Sequence, residues 1–409
     1  KAGNMIRLSA QLLNVETDEI YKTYQVDCPD EADVFAKTDS LGSMIRNYLE
    51  IRKLSEDLNS PGASASAATN SHEAFGYYIH AYETYERMDM ETTIELLLKT
   101  IETDPEFIDA YVFLSFCYAG ILDFKQSEAW CNKAYAKRDN APVREKLFLD
   151  HLHAYHYETP HEEIRYCKQI LKLDKMNTIY WFLLGDAYNK LEQYEEAINS
   201  FERVIKLNEK WGTNISFPHL FYWMGSALHK TGDHVRENEV YELGLSTVPN
   251  FAIIHYYQSI CALSRGDTEK AGEYIQKYRT IRVAQNWKEA RILSAIGNIY
   301  MQANLTEEAE SFFRRGLTLD PQNPSRMNGL AWILIDKNIN LEEGLELAEK
   351  AANLAPENWS INDTWGWGLY KQGRYEEALE ALNKAWEFRG PYDPDIMRHI
   401  QTVEETMSN

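Results

Sequence analysis

Metal-type ligands crowd one short stretch of this chain: Asp150, His151, His153, His156, Glu158, His161 and Cys167. Zinc and related ions draw their nitrogen, oxygen and sulfur ligands from such side chains. On a helix, His153 and His156 would share a face, as paired ligands do. The spacing matches no ligand motif and contains no His-Glu-x-x-His pair. A solvated or half-packed histidine cluster is therefore the preferred reading, with a metal-dependent enzyme built on His151–His161 as the last alternative. Between Arg265 and Arg291, seven basic residues (Arg265, Lys270, Lys277, Arg279, Arg282, Lys288, Arg291) face four acidic ones (Asp267, Glu269, Glu273, Glu289). An acidic partner segment would find charge there, and a solvated helix face explains the same run. Gly366-Trp367-Gly368 lacks the strand-to-helix context of a phosphate loop. No Ser/His/Asp or Cys/His arrangement is local enough to argue for catalysis. The chain is read as a non-enzyme, with no cofactor and no metal.

Composition bounds what remains. The 409 residues are 44% hydrophobic and 12% aromatic, too long for one compact core unless that core is extended along a repeat array. Subtracting 63 acidic from 42 basic residues leaves −21, opposite in sign to a surface that neutralises phosphates, so nucleic acid is excluded as a partner. Cys28, Cys117, Cys131, Cys167 and Cys261 are odd in number and widely spaced, and read as small buried hydrophobes. No apolar run is long enough for a membrane span. The opening Lys-Ala-Gly-Asn-Met has no apolar signal core and no initiator start. The sequence reads as a processed or truncated piece of a longer, soluble protein, cytoplasmic or periplasmic.

The elements that must position any site fall into four blocks. Residues 1–57 form a partial α/β domain. Met5–Glu16 and Ile20–Asp27 are β-favouring runs around an Asn-Val-Glu-Thr-Asp-Glu turn, which predicts a β-hairpin, and Glu31–Glu56 has a helical period. The unpaired edge of that hairpin makes a homo-oligomer through the amino-terminal segment a reasonable expectation. Residues 58–70, rich in Ser, Ala and Asn, read as a flexible linker. Residues 71–394 repeat with a period of about 34. Trp181, Leu184, Gly185, Tyr188, Ala197 and Phe201 recur at identical spacing as Leu293, Ile296, Gly297, Tyr300, Ala309 and Phe313, followed by Pro321. In each series the glycine and the alanine let two helices approach closely, and the proline ends the second helix. About nine such units are expected. A capping helix follows from Asp395 to about Thr406, its charged face toward solvent, within a final block at 395–409. Two places break the pattern: the third unit, about Val143–Lys175, lacks the small residues and the proline, and Gly212–Pro218 is an insertion. Insertions in solenoids map to loops on one face, often the binding face.

These series resemble the tetratricopeptide-repeat (TPR) signature over about four-fifths of the chain. The resemblance implies an all-α, right-handed superhelix of helix pairs whose concave groove holds peptides or partner proteins. Gly3–Thr17, Ile20–Val26, Val34-Phe35 and Asp39-Ser40-Leu41 resemble, more loosely, the end of a bacterial TolB/CsgG-like α/β domain found fused to TPR arrays, and Asp139–Leu147 resembles an element opening the atypical third repeat of that family. The TPR rule places fixed positions of each first helix on the groove. Here they are Phe75, Tyr78, Tyr82, Tyr85, Val112, Phe116, Phe148, Tyr155, Phe182, Asp186, Asn189, Tyr222, His229, Tyr256, Asn298, Asn328, Trp332, Asp363, Trp367 and Tyr370. Such an aromatic lining implies a scaffold for a peptide or helix. Packing between neighbouring repeats is the bland alternative for each residue. A chaperone-type carboxylate clamp would need Lys, Asn and Arg at positions that here are largely aromatic or acidic, so a Glu-Glu-Val-Asp tail is not the expected ligand. The alternative role is as the regulatory or sensor arm of a larger bacterial signalling protein.

Overall fold

The computed structural model describes residues 6–13, 20–29, parts of 33–49, 69, 71–141, 143–157, 159–213, 215 and 217–408. They fall into two compact units, Lys1–Ala141 and Pro142–Asn409. In the first, β1 (Ile6–Leu13) pairs antiparallel with β2 (Ile20–Cys28), Ile6 opposite Cys28, with an irregularity between Leu12 and Leu13. The predicted hairpin is therefore present, and alternate residues of β1 are exposed. Of the expected helix at 31–56, only parts of 33–49 lie within the described residues; there Lys37 N–H donates to the Asp33 carbonyl, 2.9 Å. Apart from Thr69, whose hydroxyl donates to Asp104, the expected linker at 58–70 lies outside the described residues.

Two helix pairs complete the first unit: α1 (His72–Glu86) with α2 (Met90–Thr103), and α3 (Ile108–Gly120) with α4 (Phe124–Tyr135). The second unit continues with α5 (Val143–Tyr157) and α6 (Pro160–Leu173), α7 (Thr178–Lys190) and α8 (Tyr194–Trp211), α9 (His219–Thr231) and α10 (His234–Thr247), and α11 (Ala252–Ser264) and α12 (Thr268–Ala284). Then come α13 (Glu289–Gln302) and α14 (Thr306–Leu319), α15 (Pro324–Asp336) and α16 (Leu341–Leu354), α17 (Trp359–Lys371) and α18 (Tyr375–Phe388), and finally α19 (Pro394–Ser408). The described chain is thus an all-α array of antiparallel helix pairs in TPR-like packing, with a small two-stranded sheet at its amino end.

Sequence chemistry sets the turn inside each pair. Asp89, Asp123, Asp233, Asp267 and Asn340 cap second helices, each side chain accepting a first-turn backbone N–H. One left-handed residue closes most of these turns, supplied by Gly232, Gly266 and Gly373 or by Met88, Leu122, Glu192, Asn304 and Asn338. Small residues then set the approach of the two helices. A Cβ on Gly185 would fall 2.5 Å from the Phe201 ring, and one on Gly225 2.1 Å from Tyr241. Ala197, Ala309 and Ala378 on the facing helices are fully buried, as their place in the repeat predicts.

The last helix is more than a solvent cap. Ile396, Ile400 and Val403 pack into the cluster formed by Leu369, Leu382 and Ala385. His399 points back into the array, and Arg398 pairs with Glu192, 206 positions away in the turn after α7, at 3.0 Å.

Candidate partner-binding surfaces

In the first unit the projected groove residues divide by burial. Phe75, Tyr78 and Val112 are almost completely buried. Tyr78 packs on Phe107 (4.7 Å between ring centroids) and edge-on to Tyr82 (5.3 Å). Tyr82 and Tyr85 are half-buried and close around Phe113 at 4.6 and 5.3 Å. Burial pushes both of their hydroxyls above the usual tyrosine range. Phe75 and Tyr78 are therefore core, because α1 and α3 interlock through aromatic rings that would be stranded in water if splayed apart, and Val112 is fully buried on α3. Phe116 remains half-buried.

In the second unit, the third and fourth pairs meet through charge. Glu163 of α6 is 1% exposed and receives Lys190 Nζ from α7 at 3.0 and 3.1 Å; the same ammonium lies 3.0 Å from Asp186 and 4.4 Å from the Tyr155 ring centroid. Burial pushes Glu163 up to about 7 against the pull of Lys190. For Lys190 burial works the other way, but Asp186 and Glu163 outweigh it and hold the ammonium charged. His151 sits fully buried beside them, Nε2 3.9 Å from Glu163, with neither ring nitrogen hydrogen-bonded among the described residues. Burial, helped by Lys190, depresses its pKa to about 3. Burial likewise lowers His156 to about 4, and His153 packs on Tyr157. Among the described residues this histidine stretch forms no group that could hold an ion. Phe148, half-buried, meets Tyr180 edge-on at 5.4 Å.

A ladder of rings then runs through the fourth to sixth pairs. Phe182 is buried between Phe217 (4.6 Å) and Trp223 (5.1 Å), both stacked on it. Trp223 contacts Tyr222 edge-on at 5.9 Å, Tyr222 stacks on Tyr257 at 5.6 Å, and Tyr257 meets Tyr256 at 5.2 Å. The Tyr256 hydroxyl accepts from Gln302 Nε2 at 2.8 Å. Tyr222, Trp223, Tyr256 and Tyr257 are all half-buried, so the ladder keeps an open side. Asn189 Nδ2 donates to the Trp223 carbonyl at 3.5 Å, while its Oδ1 is buried without a partner among the described residues. Phe182 is therefore a support for the ladder rather than open lining. Gly212, at φ +64°, ends α8, and Phe217 is buried against Phe182 as the first rung.

At the carboxy end, α19 occupies part of the projected lining. His399 Nδ1 lies 2.8 Å from Asp363, and its ring stacks on Trp367 at 4.2 Å and tilts toward Trp332 at 5.9 Å. Asp363 is consequently buried and already paired with His399. Tyr370 stacks on Trp367 at 4.9 Å. Asn328 donates to Ser360 at 3.4 Å, but its Oδ1 and Trp367 Nε1 are buried without partners among the described residues. Asn298 is half-buried. His229 lies elsewhere, 3.2 Å from both oxygens of Glu237. The basic run at 265–291 is partly self-occupied: Arg279 pairs with Glu289 at 2.7 Å, and Trp287 lies between Arg282 (4.2 Å) and Arg291 (3.5 Å). Trp223, Tyr257, Phe217 and His399 were not among the projected positions. The aromatic type of the first three was the available signal.

Residues 179–210 and 290–323 match models of the tetratricopeptide repeat, so the chain carries these repeats. Neither segment touches residues 1–57. The chain is 30% identical over 156 residues to a TPR repeat-containing protein of Pseudomonas aeruginosa, covering 38% of this chain and 25% of that protein. It is 21% identical over 304 residues to a TPR repeat-containing protein of Methanocaldococcus jannaschii, covering 71% of this chain and 52% of that protein. It therefore spans from a quarter to about half of the length of these relatives. Among solved structures it is similar to the Cut9–Hcn1 hetero-tetramer of the APC/C, with 13% identity, a TM-score of 0.49, and coverage of 83% of this chain and 65% of that one. Among the described residues, no helix is long and apolar enough to cross a membrane.

Proposed function

We propose that this chain, through its tetratricopeptide repeats, is a protein-interaction scaffold that holds a peptide or helix against the ring ladder of its fourth to sixth helix pairs. The observation that carries the reading is continuity: Trp223, Tyr222, Tyr257 and Tyr256 touch in sequence across neighbouring pairs and all keep exposed surface. Rigid aromatic side chains with a polar tip bury much area on binding and lose little entropy, which is why interfaces concentrate them. Tyr155, Asp186, Asn189 and Asn298 extend this lining, and the unpartnered Asn189 Oδ1 gives a ligand backbone N–H an acceptor once the side chain turns. Phe116, Phe148, Asn328, Trp332, Trp367 and Tyr370 are assigned to secondary contacts.

The test is selection of displayed peptides on the whole purified chain, followed by titration of the enriched sequences. Trp223→Ala and Tyr222→Ala, each checked for unchanged helix content, are expected to weaken binding by about 30-fold, the effect of losing roughly 2 kcal/mol at a hot spot. Peptides that bind both variants as tightly as the original chain would move recognition off the ladder.

A further inference from the structure

Four ligand-type side chains from three helices converge beside the ladder. His229 lies in the last turn of α9, His234 and Glu237 lie one turn apart on α10, and Cys261 belongs to α11 of the next pair. One ligand atom from each lies within 4.8 Å of those of the other three. His229 Nδ1 is 3.2 Å from Glu237, and His234 Nδ1 is 2.9 Å from it. The turn that brings the two histidines together closes on Gly232, whose φ of +78° an L side chain rarely adopts.

Charge decides what this cluster suits. Glu237 is 1% exposed and Cys261 2%. With a neutral thiol, the cluster holds the Glu237 carboxylate charge out of water. A divalent cation with Glu237 as carboxylate and Cys261 as thiolate makes the same volume electrically neutral at any pH where the ion binds. Without an ion, burial and the neighbouring Glu237 push the Cys261 thiol up to about 12 against the smaller pull of Arg265, which caps α11, so a bound cation has to displace the thiol proton. Two imidazoles, a thiolate and a carboxylate are the donor types of zinc, and the sulfur disfavours magnesium and calcium. Zinc bonds of about 2.0–2.3 Å put tetrahedral donors roughly 3.3–3.8 Å apart, reachable from this arrangement by side-chain rotation. Outside the ligands, the Tyr241 hydroxyl donates to Glu237 Oε1 at 3.1 Å and fixes the carboxylate, as an outer-shell partner does. His229 and His234, with side chains 22% and 33% exposed, form the entry side.

We propose that His229, His234, Glu237 and Cys261 bind one divalent transition-metal ion, zinc by the chemistry of the donors, and that the ion staples the fifth helix pair to the sixth.

The probe is Co²⁺ added to the whole chain after chelator treatment and dialysis, with Zn²⁺ as competitor. One cobalt per chain is expected, with a thiolate-to-cobalt charge-transfer band that zinc abolishes. Cys261→Ser should remove the band while helix content is retained, and Cys131→Ser, a buried cysteine of the first unit, should keep it. His234→Ala is a partly exposed position that leaves no core cavity, and should weaken zinc at least 10-fold in competition with a chromophoric chelator; Tyr241→Phe should weaken it about 10–100-fold. Absence of the band in the original chain, its survival in Cys261→Ser, or unchanged zinc affinity in His234→Ala would each overturn the assignment.

Discussion

The third and fourth helix pairs solve the same packing problem by different means. In the fourth, Gly185 lets the Phe201 ring lie against the backbone of α7, and Ala197 is fully buried on the facing helix. In the third, no glycine serves that purpose; α5 and α6 enclose His151 and Glu163, and Lys190 from the fourth pair supplies the compensating charge. Size complementarity is encoded locally and survives in any repeat that keeps its small residues. A buried ion pair is encoded across two repeats and fails if either partner is lost.

Breaking the charged solution should cost most. Lys190→Ala leaves Glu163 buried without its cation, and a loss of about 3–5 kcal/mol is expected in denaturant unfolding above pH 7.5. The loss should shrink by pH 5.5, where Glu163 takes up a proton. An equally stable variant at both pH values would show that charge does not hold the third pair.

Acid provides the second break. Burial holds His151 at about 3 and His156 and His219 at about 4, below the ordinary 6.5. Their contribution to stability is complete above pH 6.5 and is lost as pH falls toward those values, because the unfolded chain binds the protons first. Glu163, raised to about 7, works in the opposite sense between that value and its ordinary 4.5, gaining stability as pH falls. Three histidines outweigh one carboxyl, so melting should drop by about 5 °C or more from pH 7 to pH 5. An unchanged melt would mean that the histidines open to water before the array unfolds.

The size-based solution is tested by Gly225→Ala, whose Cβ would meet Tyr241 at 2.1 Å; a loss of about 1–3 kcal/mol is expected in the same unfolding assay. As the lower bound, Lys384→Ala removes a solvent-exposed partner of Glu380 within α18, 2.8 Å away, and should change stability by less than about 0.5 kcal/mol. A larger change there would mean that surface pairs carry more of this array than their exposure implies.

The helix pairs were legible in the sequence because the small and large residues that fit one another recur at a fixed spacing. The third pair was legible only as an interruption, since nothing in the spacing of His151 and Glu163 announces a cation arriving from Lys190. The ladder was half legible. Tyr222 and Tyr256 fell on projected positions, but Trp223 and Tyr257, one residue further along their helices, depend on how neighbouring helices rotate. Phe182, Tyr78 and Asp363 were correctly placed on first helices, and their neighbours closed over them. The cluster around Glu237 could not be seen, because Cys261 reaches it only through the stacking of one pair on the next.

The contact between Arg398 and Glu192 has a mechanical meaning. It joins the last helix to a turn near the start of the second unit, so the intervening pairs form a loop in force terms, like a spring with a clasp. Both side chains are about half exposed, and such a pair contributes no more than about 1 kcal/mol. Salt screens it further. The clasp therefore opens on thermal energy alone, and the stiffness of the coil under load comes from the packing between successive pairs.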